Sequence, residues 1–220
     1  MPENQSQLLA GAASQLEVPL TEKQLQLFTR YAQEIMAWNE KINLLSRSSA
    51  TDTLLKNFLD ALAIINFLPH RGSTVLDMGS GGGFPGIPMK IAVETLKMSL
   101  LEASRKKSSF LKHAIRVLAL REITVLHDRA ENLLQDDDYR SRFEVVVSQA
   151  AFKLPQLLTF AAPFLTGEGM LVASKSVDIE SELKEAGPAA GAAGLYLSGS
   201  SDLTLPVTGD RRRILIYRKA

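Results

Sequence analysis

The residues best placed to do chemistry in this sequence are one carboxylate and the glycines that follow it. In the stretch Ser73–Met89, STVLDMGSGGGFPGIPM, Asp77 closes a short apolar run of Val75 and Leu76. Gly79, Gly81, Gly82, Gly83 and Gly86 come directly after it. Glycine has no Cβ to keep a ligand away from the main chain, and it opens positive φ to the backbone. Pro85 then pre-sets φ for the first turn of a helix, where a missing N–H does no harm. Strand, acidic residue, glycine-rich turn and helix start together describe the first βα corner of a nucleotide-binding α/β sheet.

Three readings compete for that corner. Gly81-x-Gly83-x-x-Gly86 spells a dinucleotide fingerprint, which alone is a weak signal. Asp77-x-Gly79-x-Gly81 reads instead as a site for S-adenosylmethionine, whose charges are an ammonium, a carboxylate and a sulfonium. A plain βα connection is the third. A carboxylate at the first strand's end suits a cationic ammonium, or a water beside it, and sits awkwardly next to a pyrophosphate. The methyl donor is therefore favoured. Glu102, at the end of the second strand, is placed to accept both ribose hydroxyls under either ligand reading; a solvated helix cap is its bland alternative. Asp128-Arg129-Ala130-Glu131 falls where an adenine-binding loop would lie, and equally reads as a helix start with a stabilising acid.

The elements that must position these residues change character along the chain. Residues 4–66 read as helical. Leu25, Phe28, Ala32, Ile35 and Met36 recur at helical steps after Thr21, an N-cap, and the helix stops near Asn39. Lys41–Ser49 is a polar connection, and Thr51–Phe67 a second helix ended by Pro69. From Ser73 strands alternate with helices. Strands are expected at Thr74–Met78, Met98–Glu102, Ile123–His127, Phe143–Ser148 and Met170–Ser174. Helices are expected at Arg105–Leu120, Pro155–Phe164 and Asp178–Ala186. That rhythm predicts a mainly parallel sheet covered on both faces. Gly187–Gly194 reads as small and flexible, and Leu195–Leu205 with Arg212–Arg218 as a closing hairpin. The division expected is a helical extension over residues 1–70 and a catalytic domain over 71–220. Trp38 reads as a packing anchor and Asp136-Asp137-Asp138 as a solvated loop.

Composition narrows the class. A chain of 220 residues buries enough surface to fold without staples, and it has no cysteine for disulfides or thiolate-held metals. Its three histidines stand in unrelated contexts, so no metal site is expected. The start MPENQSQLLA lacks a secretory signal's basic and apolar regions, and no run approaches a membrane span, so a cytoplasmic protein is expected. The net charge of +1 carries no global basic signal. Nucleic-acid contacts would come from local clusters: Arg105-Lys106-Lys107, Arg211-Arg212-Arg213, and more weakly Lys41 with Arg47.

In its blocks the chain resembles the bacterial 16S ribosomal RNA guanine-N7 methyltransferases, the group first called glucose-inhibited division protein B. The blocks are Trp38-Asn39-x-x-Ile42-Asn43-Leu44, Lys56-Asn57-Phe58-Leu59-Asp60, Asp77 through Pro88, Lys106-Lys107-x-x-Phe110-Leu111 and Arg129-Ala130-Glu131. The resemblance implies a class I S-adenosylmethionine-dependent methyltransferase. That fold is Rossmann-like, with a seven-stranded, mainly parallel sheet, an antiparallel last hairpin and N-terminal helices. It implies S-adenosylmethionine as donor, 16S ribosomal RNA or the small subunit as partner, and a monomer. The family's donor pocket maps onto Asp77, Gly79, Gly81, Phe84, Glu102, Ala130 and Glu131. Its RNA side maps onto Arg129, Lys175, Arg211, Arg212 and Arg213.

No general base is expected, because guanine N7 carries a lone pair and no proton. Arg129, Gln149, Lys153 and Arg212 are the candidates for positioning the acceptor. Three positions depart from the family pattern. Asn57 and Ala61 stand where the family has His and Ser, and Gln149 stands in its Ser-Arg-Ala run. Either Lys153 or an arginine of the 211–213 cluster compensates, or target and activity differ. The alternatives are a donor-holding RNA- or ribosome-binding protein and a nicotinamide-dependent oxidoreductase.

Overall fold

A computed structural model describes residues 3–45 and 50–220. Arg47 and the end of the Lys41–Ser49 connection lie outside the described residues. Three helices come first: α1 (Glu3–Gln15), α2 (Glu22–Asn39) and α3 (Ala50–Ile65). Thr21 caps α2 with a reciprocal box: Gln24 N–H donates to Thr21 Oγ1 at 3.3 Å and Thr21 N–H to Gln24 Oε1 at 2.8 Å. At the other end, Asn39 Oδ1 accepts the amides of Leu44 and Leu45 at 2.8 and 2.9 Å, which turns the chain out of α2.

The rest alternates strand and helix. It runs β1 (Thr74–Met78), α4 (Gly86–Ala92), β2 (Lys97–Leu101), α5 (Arg105–Val117), β3 (Ile123–Leu126) and the short α6 (Ala130–Leu133). Then come β4 (Phe143–Gln149), α7 (Leu154–Ala161), β5 (Leu165–Ser176), α8 (Glu180–Ala192), β6 (Leu195–Thr204) and β7 (Arg211–Lys219). The seven strands lie in the order β3-β2-β1-β4-β5-β7-β6. The first five pair in parallel, and β7 is antiparallel to both β5 and β6. The expected mainly parallel sheet with its closing hairpin is present.

Two stretches differ from expectation. The helix expected over Asp178–Ala186 runs on to Ala192, through the Gly187–Gly194 stretch read as flexible. Ala186 and Ala190 are buried beside α7, so small side chains there serve close helix packing and outweigh the propensity cost of Gly187 and Pro188. Strand β5 begins at Leu165, before the expected Met170, because Phe143 pairs with Leu165 across an irregularity. Asp137–Tyr139 forms a 3₁₀ turn at the surface, with Asp137 and Asp138 exposed.

Side chains alternate between the sheet's two faces. Val75, Met98, Val145 and Val172 join a buried cluster with α1–α3, α4 and α5. Leu76, Met78, Val146 and Leu171 join a second cluster with α7 and α8. The N-terminal helices thus supply much of one layer. Phe28 and Phe58 meet edge-on at 5.0 Å, and the Trp38 ring lies 5.6 Å from Phe110 and 5.2 Å from His113, locking α2 onto α5.

Candidate functional site

The order of the sheet decides where the site opens. After β3 the chain crosses to the other side of β1, so β1 and β4 are neighbours whose following segments diverge, and a crevice forms outside their carboxyl ends. The glycine turn lies there. Gly79, Gly81 and Gly83 have φ of +79°, +57° and +95°. A Cβ on Gly83 would collide with Tyr31 Oη and lie 2.7 Å from Ile87 Cδ1, and one on Gly86 would lie 2.7 Å from Asp77 Oδ2. At Gly81 the nearest atom to a Cβ is the Gly79 carbonyl oxygen at 3.9 Å, so that residue borders open space. Tyr31, reaching from α2, donates its hydroxyl to the Gly82 carbonyl and pins the turn from the helical layer.

Most of the turn's amides are already engaged. Gly79 and Ser80 N–H both donate to Leu101 O at 3.0 Å. Gly81 N–H donates to Glu102 Oε2 at 2.9 Å, and Gly86 N–H to Asp77 Oδ2 at 3.0 Å. A pyrophosphate needs such amides and finds two carboxylates here instead. The dinucleotide expectation therefore loses its basis.

Asp77 is fully buried beneath the turn and lines neither chamber described below. Its Oδ1 has no hydrogen-bond partner among the described residues. Burial pushes its carboxyl well above the usual range, against the lowering effect of the Gly86 amide and Ser80. Glu102 is buried too. Its Oε1 accepts from Ser104 N–H at 2.7 Å, so each carboxylate oxygen takes one amide and keeps a lone pair for a ligand hydroxyl.

Two chambers meet at this turn. The smaller, about 370 Å³, is walled by Glu102, Asp128, Arg129, Ala130 and Glu131. The larger, about 940 Å³, is walled by Asn57, Phe84, Gln149, Lys153, Lys175 and Arg212, among others. Gly79, Gly81, Lys107, Ala151 and Phe152 border both. Phe84 is held by ring contacts of 5.9 Å to Tyr31 and to Phe58.

The cations expected to act alike do not. Arg211, Arg212 and Arg213 alternate across β7. Arg212 Nε pairs at 2.7 Å with Asp60 of α3, whose other oxygen accepts from Ser174 Oγ. Arg213 is bidentate to Asp202 at 2.6 and 2.8 Å and lies 3.6 Å from Glu180. Lys175 is buried, donating to the Phe152 carbonyl and to Glu182 Oε2 at 3.0 Å. Lys107, Arg129, Lys153 and Arg211 form no salt bridge with another described residue.

Two of the departures from the family pattern touch each other: Gln149 Nε2 donates to Asn57 Oδ1 at 3.4 Å. Asp128 lies in the stretch read as an adenine-binding loop. Lys107 and Phe152 are wall residues not expected there: Lys107 sits in a stretch read as a nucleic-acid cluster, and Phe152 carries no local signal. Among the described residues, no cluster of His, Asp or Glu is placed to hold a metal, and no helix is long and apolar enough to cross a membrane.

Comparison with known proteins adds the lineage. The family model GidB, rRNA small subunit methyltransferase G, matches residues 24–200. The chain is 42% identical to ribosomal RNA small subunit methyltransferase G of Syntrophus aciditrophicus, covering 100% of this chain and 91% of that one. It is 38% identical to the same-named protein of Geobacter sp. strain M21, over 98% of each. In fold it is similar to the O-methyltransferase from Bacillus cereus solved with SAH, at TM-score 0.60 and 16% identity over 86% and 91% of the two chains. M. jannaschii TYW2, solved with AdoMet, gives TM-score 0.58 at 16% identity over 80% and 79%. The last two likenesses bear on the fold alone.

Proposed function

The chain belongs to the rRNA small subunit methyltransferase G family, and from that premise we propose that it methylates N7 of one guanine in 16S ribosomal RNA. The donor would be S-adenosylmethionine. The observation that carries this reading is the pair of chambers joined at Gly79 and Gly81, one bordered by Glu102, Asp128 and Glu131, the other by Asn57, Gln149, Lys153, Lys175 and Arg212 among others.

S-Adenosylmethionine, when bound, supplies a methyl group on a positively charged sulfur. Glu102 has spare acceptor capacity for its ribose hydroxyls. Gly79 and Gly81 let that ligand lie against the backbone, and Ala130 with its neighbours Arg129 and Glu131 borders the adenine end. Asp77 acts from below, by fixing the Gly86 amide and adding negative charge when ionised. Phe84 closes the wall toward the acceptor.

Guanine N7 needs no proton removed, so the protein's contribution is alignment and exclusion of water. The N7 lone pair becomes the new N–C bond, the S–C pair returns to sulfur, and the positive charge passes to the purine. Arg129, Lys153 and Arg211 are unpaired and suited to RNA phosphates. Lys175 and Arg212 are internally paired and shape the acceptor wall. The working form proposed is a monomer. Ribosomal RNA as substrate implies a cytoplasmic location.

The test is incubation of the protein with methyl-labelled donor and unmethylated small subunits or their RNA, followed by mapping of the label. One labelled guanine, methylated at N7, is the expected result. No transfer to RNA would overturn the reading in favour of a donor-holding RNA-binding protein.

A further inference from the structure

The larger chamber contains a polar pair that the methyl-transfer chemistry leaves unused. Asn57 comes from α3 and Gln149 from the carboxyl end of β4, and the two amides are hydrogen-bonded across the chamber wall at 3.4 Å. The pair is only half satisfied. Gln149 Oε1 is buried and has no partner among the described residues. An unpaired buried acceptor is costly, and a ligand donor would relieve it. With Asn57 Oδ1 accepting from Gln149, Asn57 Nδ2 remains as a donor, so the pair keeps one donor and one acceptor. Neither group titrates.

We propose that Asn57 and Gln149 read the Watson–Crick edge of the target guanine, Asn57 Nδ2 donating to O6 and Gln149 Oε1 accepting from N1–H. This rests on the guanine-N7 reading above. A base whose N7 faces the joined end of the chambers carries O6 beside N7 on that edge and N1–H next beyond O6. Guanine presents acceptor then donor at those two atoms, while adenine presents donor then acceptor and would leave both protein amides mispaired. Methylation adds positive charge to the ring, which makes N1–H a stronger donor. The Gln149 contact therefore tightens as the reaction proceeds and favours the transition state over bound substrate. Gln149 is on this account a base-reading residue, and its effect falls on kcat more than on KM.

The experiment uses the full chain and 16S RNA assembled by ligation with either guanine or 2-aminopurine at the target position. 2-Aminopurine keeps N7 and the exocyclic amine but lacks O6 and N1–H. The wild-type protein is expected to prefer guanine by roughly 10- to 100-fold, the range that one or two unpaired buried groups provide. In Gln149→Met the guanine rate falls and the preference drops by roughly tenfold, with Asn57's contact to O6 holding the rest, while Gln149→Glu, which keeps an acceptor, retains it. S-Adenosylhomocysteine binding stays the same in both variants, which shows the fold and donor side intact. A wild-type preference undiminished in Gln149→Met overturns the base-reading role and leaves N7 methylation standing. A wild-type protein inactive on both RNAs overturns the two readings together.

Discussion

The smaller chamber takes its polar groups from the carboxyl ends of β1, β2 and β3, within about fifty residues of one another, whereas the larger gathers Asn57, Gln149, Lys175 and Arg212 from four elements spread over most of the chain. Their internal bonding differs in the same sense. On the small side carboxylates accept backbone amides a few residues to some twenty residues away, as Glu102 does from Gly81 and Ser104. On the large side, Arg212 meets Asp60 across 152 positions, through tertiary packing. A site made of backbone and near neighbours is set once the local fold forms. One made of distant side chains depends on helix α3 staying latched to the terminal hairpin.

The sharpest way to break that contrast is Asp60→Ala. It leaves Arg212, whose side chain is 13% exposed, without its partner, and a loss of about 3 kcal/mol in unfolding free energy is expected. Urea denaturation gives the loss. Under native conditions S-adenosylhomocysteine affinity should hold while RNA methylation falls; a parallel fall in donor affinity would show that the two sides are not separable.

Next comes a pair of glycines on the small side. Gly83→Ala puts a Cβ against Tyr31 and Ile87 at φ +95° and should cost roughly 2–4 kcal/mol. Gly81→Ala meets open space, so it should cost only about 1 kcal/mol of left-handed strain yet weaken donor binding about tenfold, because its Cβ enters the chamber. Equal losses of stability in the two variants would contradict the packing account.

Asp77 gives a pH-dependent effect. Its folded-state pKa is raised, so the native state holds its proton more tightly than the unfolded chain. Stability from this group is full below the ordinary carboxylate pKa and is lost as pH rises through the elevated value. Asp77→Asn removes that dependence. The variant should be more stable than wild type at neutral pH, with the advantage vanishing in acid, and should bind the donor more weakly; urea midpoints against pH and donor titrations check both signs. The smallest effect concerns surface charge. Lys153→Gln should lower the salt slope of RNA binding by about 1, whereas Arg213→Gln, already paired with Asp202, should leave it unchanged.

The two chambers also differ in how far they could be read in advance. Asp77, the glycines and Glu102 carry their meaning in spacing, since a strand end, a turn and the next strand end follow one another in the chain. The 211–213 arginines look alike in sequence. Strand alternation and the positions of Asp60, Asp202 and Glu180 separate them into a buried latch, a neutralised surface pair and one unpaired cation. The helix through Gly187 and Pro188 was misjudged for a related reason: local propensity opposed it, and packing of Ala186 and Ala190 against α7 prevailed.

Order and type of elements, the ligand-facing corner and the family blocks were determined by the sequence alone, because each depends on residues within a turn or a strand of one another. Tertiary structure alone decided that Asp77 supports the corner from beneath, that Tyr31 pins it from the helical layer, and that Asn57 and Gln149 form one pair. Those contacts join residues 9, 51 and 92 positions apart. The last two exist only once α2 and α3 pack on the sheet and bring their side chains within hydrogen-bonding distance.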